Sequence, residues 1–264
     1  MRRVLKEWIF LFCAVLLFLS CTRTYTKEEI DQIFKPITSK YGIKIVYEIN
    51  ADFAPIRNGG AREQFSRIGQ VDSRVLAIYP AILKKAFEKY PVQVIKKNLY
   101  AIYFAKKMEV GGLEYGGTYD SFRRIIYLVN DGQQTNDRSV ATIHHEFSSI
   151  LLDRYGFFLN PWFGQNPKGF KYRCEIYNNW EGAYNGTSLV GTTADYEKGF
   201  LNSYSKTDFE NDFNEYSRNI FTYPQKFKQI MNQYPRVRGK FLVFLEFYHK
   251  IDPIFTEEYL LGGK

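Results

Sequence analysis

Between residues 140 and 154 apolar side chains recur at Val140, Ile143, Phe147, Ile150 and Leu151, the spacing that places them on one face of an α-helix. Two of the chain's three histidines, His144 and His145, and then Glu146 sit in the middle of that run. Such a helix must bury its apolar stripe against another layer and still give imidazole and carboxylate groups hydrogen-bonding partners or water. The stripe predicts that His145 and Glu146 lie off the buried face and point into a cleft.

The segments around this helix set the layers. Thr26-Lys27-Glu28-Glu29 reads as a capping box, and Ile30, Ile33, Phe34 and Ile37 follow at helical spacing until Gly42. Residues 43–49 alternate as a strand, a glycine-rich stretch surrounds Asn58-Gly59-Gly60, and 75–90 reads as a helix stopped at Pro91. Strand patterns follow at 99–105, in a glycine-punctuated stretch through Gly111-Gly112 and Gly116-Gly117, and at 125–129, before an Asn130-Asp131-Gly132 turn. Residues 156–200 carry Trp162 and Trp180 with little periodicity, as a functional loop region does. Helices near 209–220 and 236–251 close the chain. This order predicts an α+β fold, with a mostly antiparallel sheet from 43–49, 99–105 and 125–129 packed against the 140–154 helix.

Residues 1–20 form a separate unit. Arg2, Arg3 and Lys6 precede an apolar run from Trp8 to Leu19, and Ser20 then stands before Cys21. The run is shorter than the roughly 20 apolar residues that cross a bilayer, so it reads as a signal peptide. The cysteine resembles that of a bacterial lipobox, which implies lipidation at Cys21 and a single domain over 21–264, anchored in the cell envelope and most simply in the outer membrane. The formal charge is +8, or +6 without the leader, and it comes as scattered pairs such as Lys84-Lys85 and Arg123-Arg124. No dense basic run suits nucleic acid. Without the leader, Cys13 is gone, and Cys21 is taken up by the lipid. Cys174 is then a lone thiol with no partner for a disulfide framework.

The segment His145-Glu146-Phe147-Ser148-Ser149 resembles the zincin helix motif His-Glu-x-x-His. In that motif two imidazoles four residues apart bind one zinc ion, and the glutamate beside the first is the general base. Downstream, Gly199-Phe200-Leu201-Asn202-Ser203-Tyr204 and Asn211-Asp212-Phe213-Asn214-Glu215 resemble two pieces of a particular group, the zinc metallohydrolase lipoproteins associated with TonB-dependent nutrient import. That resemblance implies a zincin-like metallopeptidase with zinc as cofactor, a peptide or glycan substrate and import proteins as partners. Glu146 and Tyr204 fall on its catalytic positions and His145 on a metal position. Two further ligand positions hold Ser149 and Asn211, so activity is open, and a non-catalytic lipoprotein that binds glycan or peptide, or docks onto import machinery, is the alternative. Glu215 is the carboxylate expected to rescue a metal site, with Glu210, Asp212, His144 and His249 as other sources. Trp162 and Trp180 are candidate substrate contacts.

Overall fold

The computed structural model describes residues 23–50, 67–110, 113–177 and 180–262. Cys21 and the leader lie outside them, as does the stretch around Asn58.

Thr26 opens the first helix, Lys27–Tyr41, by the reciprocal bonds its sequence predicts: Glu29 N donates to Thr26 Oγ1 at 3.2 Å, and Thr26 N donates to Glu29 Oε2 at 2.9 Å. Gly42, at φ 66°, closes it in the left-handed conformation that glycine adopts without strain. Strand β1 (Lys44–Val46) follows, then β2 (Arg67–Gly69) and three helices, Ser73–Leu76, Tyr79–Phe87 and Val92–Asn98. Five strands come next: β3 (Ala101–Ala105), β4 (Lys107–Val110), β5 (Leu113–Glu114), β6 (Gly117–Asp120) and β7 (Ile125–Val129).

Four strands form one sheet in the order β1-β3-β7-β6, and β2-β4-β5 form a second, antiparallel sheet. The expectation of a mostly antiparallel sheet is corrected here. The three segments that suggested it, now β1, β3 and β7, run parallel to one another, and only β6 runs antiparallel, against β7. Side-chain alternation within a strand says nothing about its neighbour's direction. The better signal was the near-continuous apolar character of Ala101-Ile102-Tyr103-Phe104-Ala105 and Ile125-Ile126-Tyr127-Leu128-Val129, which suits parallel strands covered on both faces. Ile102, Phe104, Ile126 and Leu128 face the main core with the helices, whereas Ala101, Tyr103, Ala105, Ile125 and Tyr127 pack with Met108 of β4 on the other side.

The long helix runs Asn136–Tyr155, capped by Thr135 and ended by Gly156 at φ 67°. Its apolar stripe faces the core as predicted. The opposite face is buried too, because helix Phe209–Thr222 lies against it. The 156–200 region holds short helices at Leu159–Phe163, Arg173–Ile176, Trp180–Tyr184 and Thr193–Glu197. Pro224 and Pro235 each stand at a helix start, opening Pro224–Gln233 and Pro235–Ile251, and Glu257–Leu261 ends the described chain. Among the described residues no helix is long and apolar enough to cross a membrane.

Candidate functional site

Helices Asn136–Tyr155 and Phe209–Thr222 build the site between them. His145 and Glu146 project from the first. Asn211, Asn214, Glu215 and Arg218 are spaced three or four apart on the second and so share one face. His145 Nδ1 meets Glu215 Oε1 at 3.2 Å, and both residues are buried. Asn202 Nδ2 donates to Glu215 Oε2 at 2.7 Å, and Arg218 Nη1 lies 3.7 Å from Oε1. Glu215 therefore orients the imidazole through Nδ1, the part a carboxylate plays behind a metal-binding histidine. Its Oε1 is engaged with His145 and its Oε2 with Asn202, so to serve as the expected metal ligand Glu215 would have to give up one of these partners.

The electrostatics follow from burial and these partners. Burial alone would lower the His145 pKa, but the Glu215 hydrogen bond, with the charges of Glu146 and Glu215, carries it above the ordinary histidine value. Glu215 shifts consistently: burial pushes it up, yet His145 and Arg218 hold it below the usual carboxylate range. Glu146 has no such support. Burial, with repulsion from Glu210 and Glu215 against the pull of His145 and Arg218, brings its carboxyl up to about 7.

Tyr204 completes the group, its ring centroid 6.0 Å from that of His145 and 5.6 Å from that of Tyr184. Strand β6 passes close above Glu146. A Cβ at Gly117 would lie 2.7 Å from Thr142 Cγ2 and 3.1 Å from Glu146 Oε1, so only glycine allows that approach. β6 is also the last strand of its sheet, and among the described residues no strand pairs with its outer edge. Of the residues singled out in the sequence, His145, Glu146, Tyr204 and Glu215 thus converge.

The remaining candidates lie elsewhere or are already engaged. Ser149 Oγ accepts from Asn214 Nδ2 at 2.7 Å. Asn211 Nδ2 lies within 2.9 Å of Tyr184 OH, Thr207 Oγ1 and Asp208 Oδ2. Neither side chain is a good zinc ligand, and each is held in a hydrogen-bond network of its own. His144 points away from the cleft. It bonds through Nδ1 to Tyr90 OH at 2.9 Å and stacks on Phe221, and burial takes its pKa down to about 3. His249 meets the Phe255 carbonyl in the C-terminal region. Asp212 is turned into the core, where Lys240 Nζ lies 2.5 Å from its Oδ2. Trp162 is fully buried and donates to Asp212 Oδ2 at 2.9 Å, so it is a packing anchor rather than a substrate contact. The side chain of Trp180 lies outside the described residues. Cys174 is exposed, and partial burial with Asp208 nearby holds its thiol above the ordinary value, against nucleophilic use.

A zincin metal centre needs about three protein donors converging on one point. Among the described residues no group of three His, Cys, Asp or Glu side chains is placed to hold a metal ion. With Ser149 and Asn211 at the other positions that the sequence resemblance implies for ligands, the residues present do not fit a zinc ion held as the His-Glu-x-x-His motif holds it. Asn202, Asn214, Arg218 and Asp208 were not singled out in the sequence. The spacing Asn211, Asn214, Glu215, Arg218 was the signal that could have found Asn214 and Arg218.

No protein-family model and no curated protein matches this chain. In three dimensions it is similar to the crystal structure of a candidate zinc-binding metallo-peptidase from Bacteroides caccae, with a TM-score of 0.54 over 89% of this chain and 95% of that one. The two sequences are 13% identical, so the likeness is one of fold. The chain has a metallopeptidase-like α+β fold.

Proposed function

We propose that this protein is a lipid-anchored envelope protein of zincin-like fold that binds extended peptide in the cleft at His145 and Glu146, and that it does so without a resident zinc ion. One observation carries the reading: Ser149 and Asn211, which stand at the positions where the sequence resemblance implies zinc ligands, are each tied to neighbours by hydrogen bonds. The open edge of β6 beside Glu146 favours peptide over glycan. An extended chain can add to a sheet edge through main-chain hydrogen bonds, with side-chain specificity set by what lines the edge. Lipidation at Cys21 and service beside a TonB-dependent importer belong to the same proposal and rest on the sequence resemblance.

The competing reading is a zinc hydrolase. It draws on the likeness of fold and on Glu146, a buried carboxyl whose pKa of about 7 suits proton transfer. Metal content separates the two. Purified protein exposed to zinc should retain far less than one ion per chain, and the double variant Ser149→His/Asn211→Glu should gain zinc affinity by orders of magnitude. Tight one-to-one zinc in the natural protein, with peptide hydrolysis lost in Glu146→Gln, overturns the proposal in favour of the enzyme. Cys21→Ala should move the protein out of the membrane fraction. If the variant stays there, the anchor is elsewhere.

A further inference from the structure

We infer that the cleft selects an extended peptide bearing a cationic side chain, lysine or arginine, which seats between Glu146 and Glu210. This rests on the peptide-binding reading above and adds the charge of the ligand.

The chain as a whole is basic, at a formal +8, yet the cleft is acidic. Glu146, Asp208, Glu210 and Glu215 lie close enough to act on one another or on His145 electrostatically. Of the four, only Glu215 forms ion pairs among the described residues, with His145 and Arg218. Asp208 caps its helix by accepting from Asn211 N at 2.7 Å and accepts from Tyr184 OH at 3.0 Å, which are neutral donors. Glu210 is approached by the hydroxyls of Ser149 and Tyr119, which are neutral too.

Glu146 is the odd member. It is only 8% exposed, and among the described residues it accepts no hydrogen bond and forms no ion pair. A carboxylate buried to that degree is normally paired or saturated with donors. Its Oε1 is the atom that a Cβ at Gly117 would approach to 3.1 Å, so the unsatisfied group faces the edge strand. Tyr119, two residues along β6, is the contact through which Glu210 reaches the same strand. Glu146 therefore lies against β6, and Glu210 is close enough to act on it and on Tyr119 of the same strand.

Like charges close enough to act on one another and partly shielded from water repel, and an ammonium or guanidinium beside them relieves the repulsion and supplies donors. The rings of Tyr184 and Tyr204, T-shaped at 5.6 Å, add aromatic surface that favours a cation. A divalent metal is the poorer occupant, because the donors that would complete its shell are Ser149 and Asn211.

The test uses the full-length protein and short fluorescent peptides, capped at both ends, with one central Lys, Arg, Gln or Glu in an otherwise neutral sequence. A Lys-free peptide with a free N-terminal amine separates a side-chain ammonium from a terminal one. The Lys and Arg peptides should bind about tenfold more tightly than the Gln peptide, with Glu weakest. In Glu146→Gln/Glu210→Gln the ratio of Lys-peptide to Gln-peptide affinity should fall to about one, whatever the change in Gln-peptide affinity itself, with thermal melts to verify the fold and Glu210→Gln alone lowering the ratio in part. Equal binding of Lys and Gln peptides, or a preference that survives both substitutions, overturns the inference and leaves peptide binding standing. A preference for the free amine alone overturns the side-chain assignment. Zinc ion displacing the Lys peptide at micromolar concentration assigns the carboxylates to a metal and overturns it as well. Failure of every peptide to bind removes the peptide reading and this inference together.

Discussion

Two buried carboxylates three residues apart on helix Phe209–Thr222 have opposite surroundings. Asp212 looks into the dry side of the molecule, where Lys240, Tyr172 and Trp162 all reach its Oδ2 and its Oδ1 has no hydrogen-bond partner. Lys240 also lies 4.0 Å from the centroid of Phe200. Glu215 looks into the cleft, where His145 and Asn202 each take one of its oxygens. Burial dominates on the dry side: it pushes the Asp212 carboxyl up and the Lys240 ammonium down even though they touch. In the cleft the partners win, and Glu215 stays below its ordinary pKa. The first arrangement holds helices together, and the second aims an imidazole.

The largest effect expected from this contrast lies on the dry side. Lys240→Met should destabilise the protein by about 3–5 kcal/mol in denaturant melts, because it strands a buried carboxylate. Lys240→Met with Asp212→Asn should recover much of that, since the amide oxygen can still accept from Trp162 and Tyr172. If the single variant is as stable as the natural protein, the pair is not the structural clamp described here.

Next in size is Glu146→Gln, which should stabilise the protein, with a definite pH signature. The folded carboxyl keeps its proton up to about 7, whereas an ordinary glutamate loses it near 4.5. The unfolded chain therefore binds fewer protons between those limits, and the natural protein loses stability from this group as pH rises through that window. The variant should match the natural protein below the window and exceed it by about 3 kcal/mol above it. His144, with its pKa lowered to about 3, pulls the other way in both proteins, so the difference between variants isolates Glu146. A constant difference across pH would break the assignment.

The smallest effect is that of Glu215→Gln. It should cost about 1–3 kcal/mol as a buried charged hydrogen bond is weakened and should lower the His145 pKa in an NMR titration. The contribution of His145 to stability is full below its unfolded pKa and fades as pH rises through the higher folded value. An unchanged His145 pKa would mean that Glu215 does not orient the ring.

Much of this site was legible in the sequence, and the illegible part has a common cause. Helix 140–154, the capping box at Thr26 and the stops at Gly42 and Pro91 rest on neighbours within a few positions, and the structure shows them close to where they were expected. His145, Glu146, Tyr204 and Glu215 were all named as site residues, but their roles were not separable from a motif. Glu215 was preferred as a carboxylate for the site but Asp212 stayed open beside it, and Trp162 looked like a ligand contact. Which face of its helix each side chain occupies follows from the sequence. What stood opposite that face does not.

The sequence alone determined the capped start and glycine stop of helix Lys27–Tyr41, the apolar stripes of the long helices, and that a histidine–glutamate pair sits in the middle of a helix that must be buried. These are set by local backbone chemistry and by the period of one element. Tertiary structure alone decided that β1, β3 and β7 run parallel, that His145 meets Glu215 across 70 positions of sequence, and that Ser149 and Asn211 spend their polar atoms on Asn214, Tyr184, Thr207 and Asp208. Those outcomes depend on pairings between distant segments, whose geometry exists only once the apolar faces have packed and every buried polar group has had to find a partner.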